Sequence, residues 1–105
     1  MSKRRLFTVR TPLGYRVILT RDRWREIIRY KHPALGGHDT QVRDCLRDPE
    51  YVRESVKDPG VHLYYRSSAG RFICVAVAGA DGEDWFVVTA YLTKKMKRGR
   101  ELWIK

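Results

Sequence analysis

Hydrophobic and polar positions alternate most clearly over Trp85-Phe86-Val87-Val88-Thr89-Ala90-Tyr91-Leu92-Thr93. A period of two places Phe86, Val88, Ala90 and Leu92 on one side of a strand and Trp85, Val87, Thr89, Tyr91 and Thr93 on the other. The first side is wholly apolar. The second carries two aromatics and two hydroxyls, which suits a face on which something polar docks; the alternative is that Thr and Tyr stand there only because they fit strands.

Two further strands follow from the same rule, Val61 to Arg66 and Arg71 to Ala78, joined by a turn at Ser67-Ser68-Ala69-Gly70 and followed by one around Asp81-Gly82. At the N-terminal end, Leu6 to Arg10 and Tyr15 to Thr20 flank Thr11-Pro12-Leu13-Gly14, with proline and glycine where a tight turn uses them, and so predict a hairpin. Between these strand regions the period lengthens. Thr20 caps a helix from Arg21 to about Lys31, whose apolar stripe is Trp24, Ile27 and Ile28. Pro33 ends it, because the residue before a proline, His32, disfavours the α region. A second helix, capped by Asp39 or Thr40, runs to about Arg47 and turns Val42, Cys45 and Leu46 inward. Asp48-Pro49 then opens either a short third helix over Glu50 to Val56 or an irregular turn, and Asp58-Pro59-Gly60 breaks it. The expected fold class is α+β: an N-terminal hairpin and two or three helices packed on one face of a C-terminal antiparallel sheet.

Comparing strands by face gives Val61, Leu63 and Tyr65, then Ile73, Val75 and Val77, then Phe86, Val88 and Leu92 as the core face. The other face holds His62, Tyr64 and Arg66, then Phe72, Cys74, Ala76 and Ala78, then Trp85, Val87, Thr89 and Tyr91. Small residues between rims of His, Arg, Tyr and Thr describe a shallow trough for a phosphate-bearing ligand; the competing reading is a second face partly covered by the hairpin.

Length and charge narrow the picture. A chain of 105 residues with 43% hydrophobic content builds one domain, residues 1–105, with one modest core. No apolar run reaches the ~18 residues of a membrane span, and Met1-Ser2-Lys3-Arg4-Arg5 leads into alternating residues without the apolar centre of a signal peptide, so the expectation is a cytoplasmic protein with no membrane partner. Cys45 and Cys74 lack paired spacing and read as buried thiols, with a disulfide left open. The net charge is +10, and it is uneven: residues 1–37 hold ten Lys or Arg against two acids, and the basic C-terminal segment 94–105 holds six against one. Basic ends interleaved with aromatics suit RNA or another phosphate-backbone partner; a ribosome, an anionic membrane or solubility would also fit.

The three histidines and two cysteines match no zinc pattern and the acids are not clustered for a hard cation, so no cofactor is expected. No G-x-S-x-G elbow supports a serine hydrolase. Metal-independent cleavage of RNA asks for less, because the substrate carries its own 2′-hydroxyl nucleophile and the protein need supply only a base, an acid and cations. Histidine suits proton transfer near neutrality. Lys31, Arg66, Arg71 and the basic segment Lys94, Lys95, Lys97, Arg98 and Arg100 are candidates for phosphate contact, with His62 and Tyr64 on the trough rim.

Leu19-Thr20 through Trp24, Lys31-His32-Pro33-Ala34-Leu35, Asp48-Pro49, Tyr64-Tyr65-Arg66, Val88-Thr89-Ala90-Tyr91 and Lys97-Arg98-Gly99 with Leu102-Trp103 occur in an order that resembles the small phage-associated nuclease-like domains of the barnase/EndoU/colicin/RelE superfamily. The resemblance spans most of the chain and implies helices on one face of an antiparallel sheet, a nucleic-acid site on the open face, and toxin-like or metal-independent ribonuclease activity. It carries functional roles onto His32, Arg66, Thr89 and Tyr91, and an acidic inhibitor protein would be a partner of such a toxin. One position departs: two residues after the helix tryptophan, where many relatives have histidine, stands Glu26. A carboxylate can serve as a base, and the same change equally fits a non-catalytic RNA- or ribosome-binding module.

Overall fold

In the computed structural model, which describes residues 4–105, seven strands form one mixed sheet: β1 (Arg5–Arg10), β2 (Arg16–Thr20), β3 (Tyr51–Ser55), β4 (Val61–Ser68), β5 (Arg71–Ala78), β6 (Trp85–Thr93) and β7 (Gly99–Ile104), in the order β1-β2-β6-β5-β4-β3-β7. The basic start Met1–Lys3 lies outside the described residues. The helical elements are short: α1 (Arg21–Glu26), a wide π-type turn over Ile27–Lys31, a 3-10 turn over Pro33–Leu35, and α2 (Asp39–Arg47).

This corrects the expected α+β packing in three places. The hairpin is not a separate cover but part of the sheet, because β2 pairs in parallel with the start of β6 through Val17 and Ile18 beside Trp85 and Phe86. The segment expected as a third helix is β3, an inner strand between β4 and β7. The C-terminal basic segment, for which no strand was expected, ends in one: Gly99–Ile104 pairs with β3, and the apolar Leu102 packs against the main core.

Locally, the turns form as their residues dictate. Gly14 N donates to Thr11 O at 3.0 Å, closing the first hairpin. At the second, Ala69 and Gly70 both take positive φ (48° and 80°), the twist a two-residue hairpin between right-twisted strands requires. Thr20 caps α1 by accepting from Arg23 N at 3.2 Å. His32, held at φ −140° ahead of Pro33, donates its N–H to Ile27 O five residues back, so the α-helix expected through Lys31 widens into the π turn.

The sheet has two unlike faces. One packs the helices: Ile27, Leu35, Val42, Cys45 and Leu46 join Val9, Val17, Leu19, Val52, Tyr64, Ile73, Val75, Val77, Trp85, Val87 and Ala90 in the main core. The other carries a smaller cluster of Leu63, Tyr65, Cys74 and Ala76, with Met96 against it. The faces expected from alternation are therefore wrong in two strands. Tyr64 lies opposite Val75, which puts His62 and Tyr64 on the helix side and Leu63 and Tyr65 on the other. In β6 a bulge at Val88 shifts the phase, since Val77 pairs with Val87 and Ala76 with Thr89. Trp85 and Val87 thereby turn into the core, while Phe86 and Val88, expected inside, are 49% and 37% exposed.

Residues 94–98 connect β6 to β7 across the second face, and this strap is tied down at several points. Met96 packs into the smaller cluster, Lys97 N donates to the Tyr65 hydroxyl at 3.0 Å, and Arg53 Nη1 donates to Lys97 O at 3.0 Å. Cys74 and Ala76, small residues of the expected trough, lie in the cluster on which Met96 packs. Gly99 ends the strap where β7 closes on β3 so tightly that a Cβ would run into the Glu54 carbonyl.

Candidate functional site

Thr89 and Tyr91, beyond the bulge, keep the second face beside Ala76 and Cys74, and their environment is unusual. Both hydroxyl oxygens are closed to solvent; that of Thr89 has no hydrogen-bond partner among the described residues, and that of Tyr91 makes none of good geometry, although Cys74 and Tyr65 lie beside it. A buried hydroxyl left unpaired costs about 1–3 kcal/mol, so two on neighbouring positions of one face set this part of the sheet apart. They line a pocket of about 190 Å³ with Ser55, Lys57, Asp58, Val61, Leu63, Ala76, Val88 and Lys97.

Two cationic or titratable groups meet at Tyr91. Lys97 Nζ stands 5.4 Å from the centre of its ring. His32 also reaches it, ring centre to ring centre 5.6 Å, at a tilt of 38°. The fold brings it there because β2 leaves β6 after Phe86, and the 3-10 turn Pro33–Leu35 packs against β6 in its place. Burial, then the neighbouring Cys74, pushes the Tyr91 phenol far above its usual range, so it keeps its proton and acts as a donor. The Tyr65 phenol is pushed up to about 12, chiefly by burial, and the buried Cys74 thiol is raised for the same reason. Neither is a base at neutral pH.

Of the positions the sequence singled out, the structure brings His32, Thr89, Tyr91 and Lys97 together and places the others elsewhere. Arg66 is engaged by Asp48, its Nη1 donating to the backbone oxygen at 2.6 Å and to the carboxylate at 3.0 Å; Lys105 Nζ joins the same carboxylate at 3.0 Å. These two cations hold the Asp48 carboxyl below its usual range. Glu26 pairs with Arg23 at 3.4 Å on an exposed helix face. Arg100 pairs with Glu54 at 3.4 Å. Lys31, Arg71, Lys94, Lys95 and Arg98 are exposed and have no ion pair among the described residues; Arg71 and Lys94 flank the paired residues Phe72 and Thr93 at one end of the sheet. Ser55 and Lys57, which also line the pocket, have no local signal that would have found them, since their loop approaches only through the β3–β4 pairing.

His62 and Tyr64 leave the candidate interface altogether. Tyr64 is fully buried, its phenol pushed up to about 12 by burial, and its hydroxyl donates to that of Tyr15 at 2.6 Å. Tyr15 in turn lies 2.7 Å from His62 Nδ1. The three groups form one chain, in which the tautomer of His62 decides whether Tyr15 donates to that nitrogen or accepts from it. Trp85 stacks on both Tyr15 (4.2 Å) and His62 (4.4 Å). Burial lowers the His62 pKa from 6.5, with Glu54 and Asp81 opposing and Arg100 assisting. With the folded value below the unfolded one, the unfolded chain binds more protons as pH falls through about 6.5, so His62 contributes stability above that pH that is lost below it. We expect the melting temperature to drop between pH 7 and pH 5 and that part of the drop to vanish in His62→Gln; superimposable pH profiles would show that the histidine carries none of it.

Among the described residues no three His, Cys, Asp or Glu side chains gather as a metal set, and no helix is long and apolar enough to cross a membrane. Cys45 and Cys74 are buried free thiols. No protein-family model, curated protein or solved structure matches this chain.

Proposed function

We propose that this protein acts on single-stranded RNA as a metal-independent endoribonuclease, toxin-like in kind, with His32 as its proton-transfer group. One observation carries the reading: His32 and Lys97 both stand against the ring of Tyr91, on the wall of the pocket at Thr89. In the reaction the 2′-oxygen of the substrate bonds to the adjacent phosphorus and the bond from phosphorus to the 5′-oxygen breaks, leaving a 2′,3′-cyclic phosphate and a 5′-hydroxyl. His32 takes the 2′ proton or delivers one to the departing oxygen. With a single group of this kind in place, water handles the other transfer. Lys97 offsets the charge that grows on the phosphoryl oxygens, and the phenol and hydroxyl of Tyr91 and Thr89 orient the substrate by donating hydrogen bonds. Lys31, Arg71, Lys94, Lys95 and Arg98 attract the backbone over a wider area.

The test is incubation of the purified protein with mixed-sequence RNA in excess chelator. Cleavage should persist and leave cyclic phosphate ends, and an all-2′-deoxy strand should remain whole. Loss of cleavage in chelator, or cutting of the deoxy strand, contradicts the mechanism.

A second reading, a non-catalytic RNA- or ribosome-binding module, is favoured by two of the same contacts. Glu26, expected as a base, and Arg66, expected to meet phosphate charge, are held by Arg23 and Asp48. Binding without any cutting would decide for it.

A further inference from the structure

Beside the proposed reacting centre, the second face of the sheet holds a combination that the cleavage chemistry does not use. The pocket at Thr89 is walled by Val61, Leu63, Ala76 and Val88. Next to it, on the same face, Phe86 lies across from Ala78 and is 49% exposed. Pairing fixes the spacing: Thr89 stands beside Ala76 and Phe86 beside Ala78, two residues along β5, or about 7 Å at the usual strand rise. An apolar pocket and an exposed ring at that separation, with Lys57 and Lys97 on the pocket rim, differ from an ordinary solvated sheet face.

We infer that this surface is a subsite for two consecutive unpaired nucleotides of RNA, the pocket receiving one base and Phe86 stacking its neighbour. The inference rests on the RNA reading above and names the substrate class at that same face. A volume of about 190 Å³ is below the ~300–1,000 Å³ of sites for larger ligands and suits one ring system. Asp58 is the one acid on the lining, and its carboxylate can accept from an exocyclic amine. Charge complementarity selects the occupant: the lysines on the rim continue into the strap residues Lys94, Lys95 and Arg98, a cationic track for a phosphate backbone whose bases turn inward. Duplex is excluded by the same geometry, because paired bases present no free face to Phe86.

The experiment measures binding of a short single-stranded RNA, made uncleavable by 2′-O-methyl groups at every position, to the wild type, Phe86→Ala and Ala76→Leu, the last filling the pocket. Both variants should bind about tenfold more weakly, the order of one lost base stack, with the salt dependence unchanged because the phosphate contacts remain. An oligonucleotide abasic at successive positions should lose the same factor at two adjacent positions with wild type and at only one with Phe86→Ala. Thermal melts confirm folding, and Phe86, being half exposed, keeps the test alive if Ala76→Leu fails to fold. Wild-type affinity in Phe86→Ala, or an even loss at every abasic position, overturns the subsite while leaving cleavage untouched. Absence of RNA binding by the wild type overturns both readings, and binding without cutting overturns cleavage alone.

Discussion

Alanine at position 32 will lower the rate of RNA cleavage by about 10²–10⁴, the range for losing one positioned acid or base, while RNA affinity stays close to wild type. The two effects separate because His32 meets the substrate region through Tyr91, whereas affinity rests on cations distributed from Lys31 to Arg98. Single-turnover cleavage with saturating protein measures the first, and binding to an uncleavable strand measures the second. An undiminished rate would remove His32 from the reaction. A parallel collapse of binding and rate would instead make it a support for the β6 edge, where it sits beside the packed turn Pro33–Leu35.

Gly99→Val will destabilise the protein by an amount visible as a fall in melting temperature of roughly 10 °C or more. A Cβ at this position meets backbone on the neighbouring strand, the carbonyl of Glu54, so no side-chain rotation can relieve it. Overpacking of this kind costs about 1–3 kcal/mol and occasionally more, and in a domain of this size each kcal/mol is worth ~4–8 °C. The effect should reach the site, because β7 holds one end of the strap that carries Lys97 over Tyr91. Gly36→Ala serves as the control: its Cβ would rest at an ordinary 3.4 Å from Pro33 O, and its melt should match wild type. If Gly99→Val melts with the control, β7 does not close on β3 as described.

The sequence by itself determined the features whose causes lie within a few residues. The turns at Thr11–Gly14 and Ser67–Gly70, the Thr20 cap, the stop at Pro33, the inward Val42, Cys45 and Leu46, and five of the seven strands all follow from local backbone chemistry and short-range periodicity. The two residues that meet at Tyr91, His32 and Lys97, were legible for their chemistry but not for their meeting, which joins the end of a helix to a strap about 65 residues further on. Tertiary structure alone decided the remainder. Tyr51–Ser55 became a strand because β4 and β7 offer it partners on both sides, a gain no local propensity registers. The faces of β4 and β6 were settled by register: one bulge at Val88 exchanges Trp85 and Val87 for Phe86 and Val88, and alternation within a strand carries no information about where its phase slips. Arg66, expected on the trough face, moved to the helix side with His62 and Tyr64 and pairs with Asp48, since a guanidinium pairs with whichever carboxylate the fold brings within reach. Such pairings depend on distances between residues far apart in the chain, and only the assembled sheet sets them.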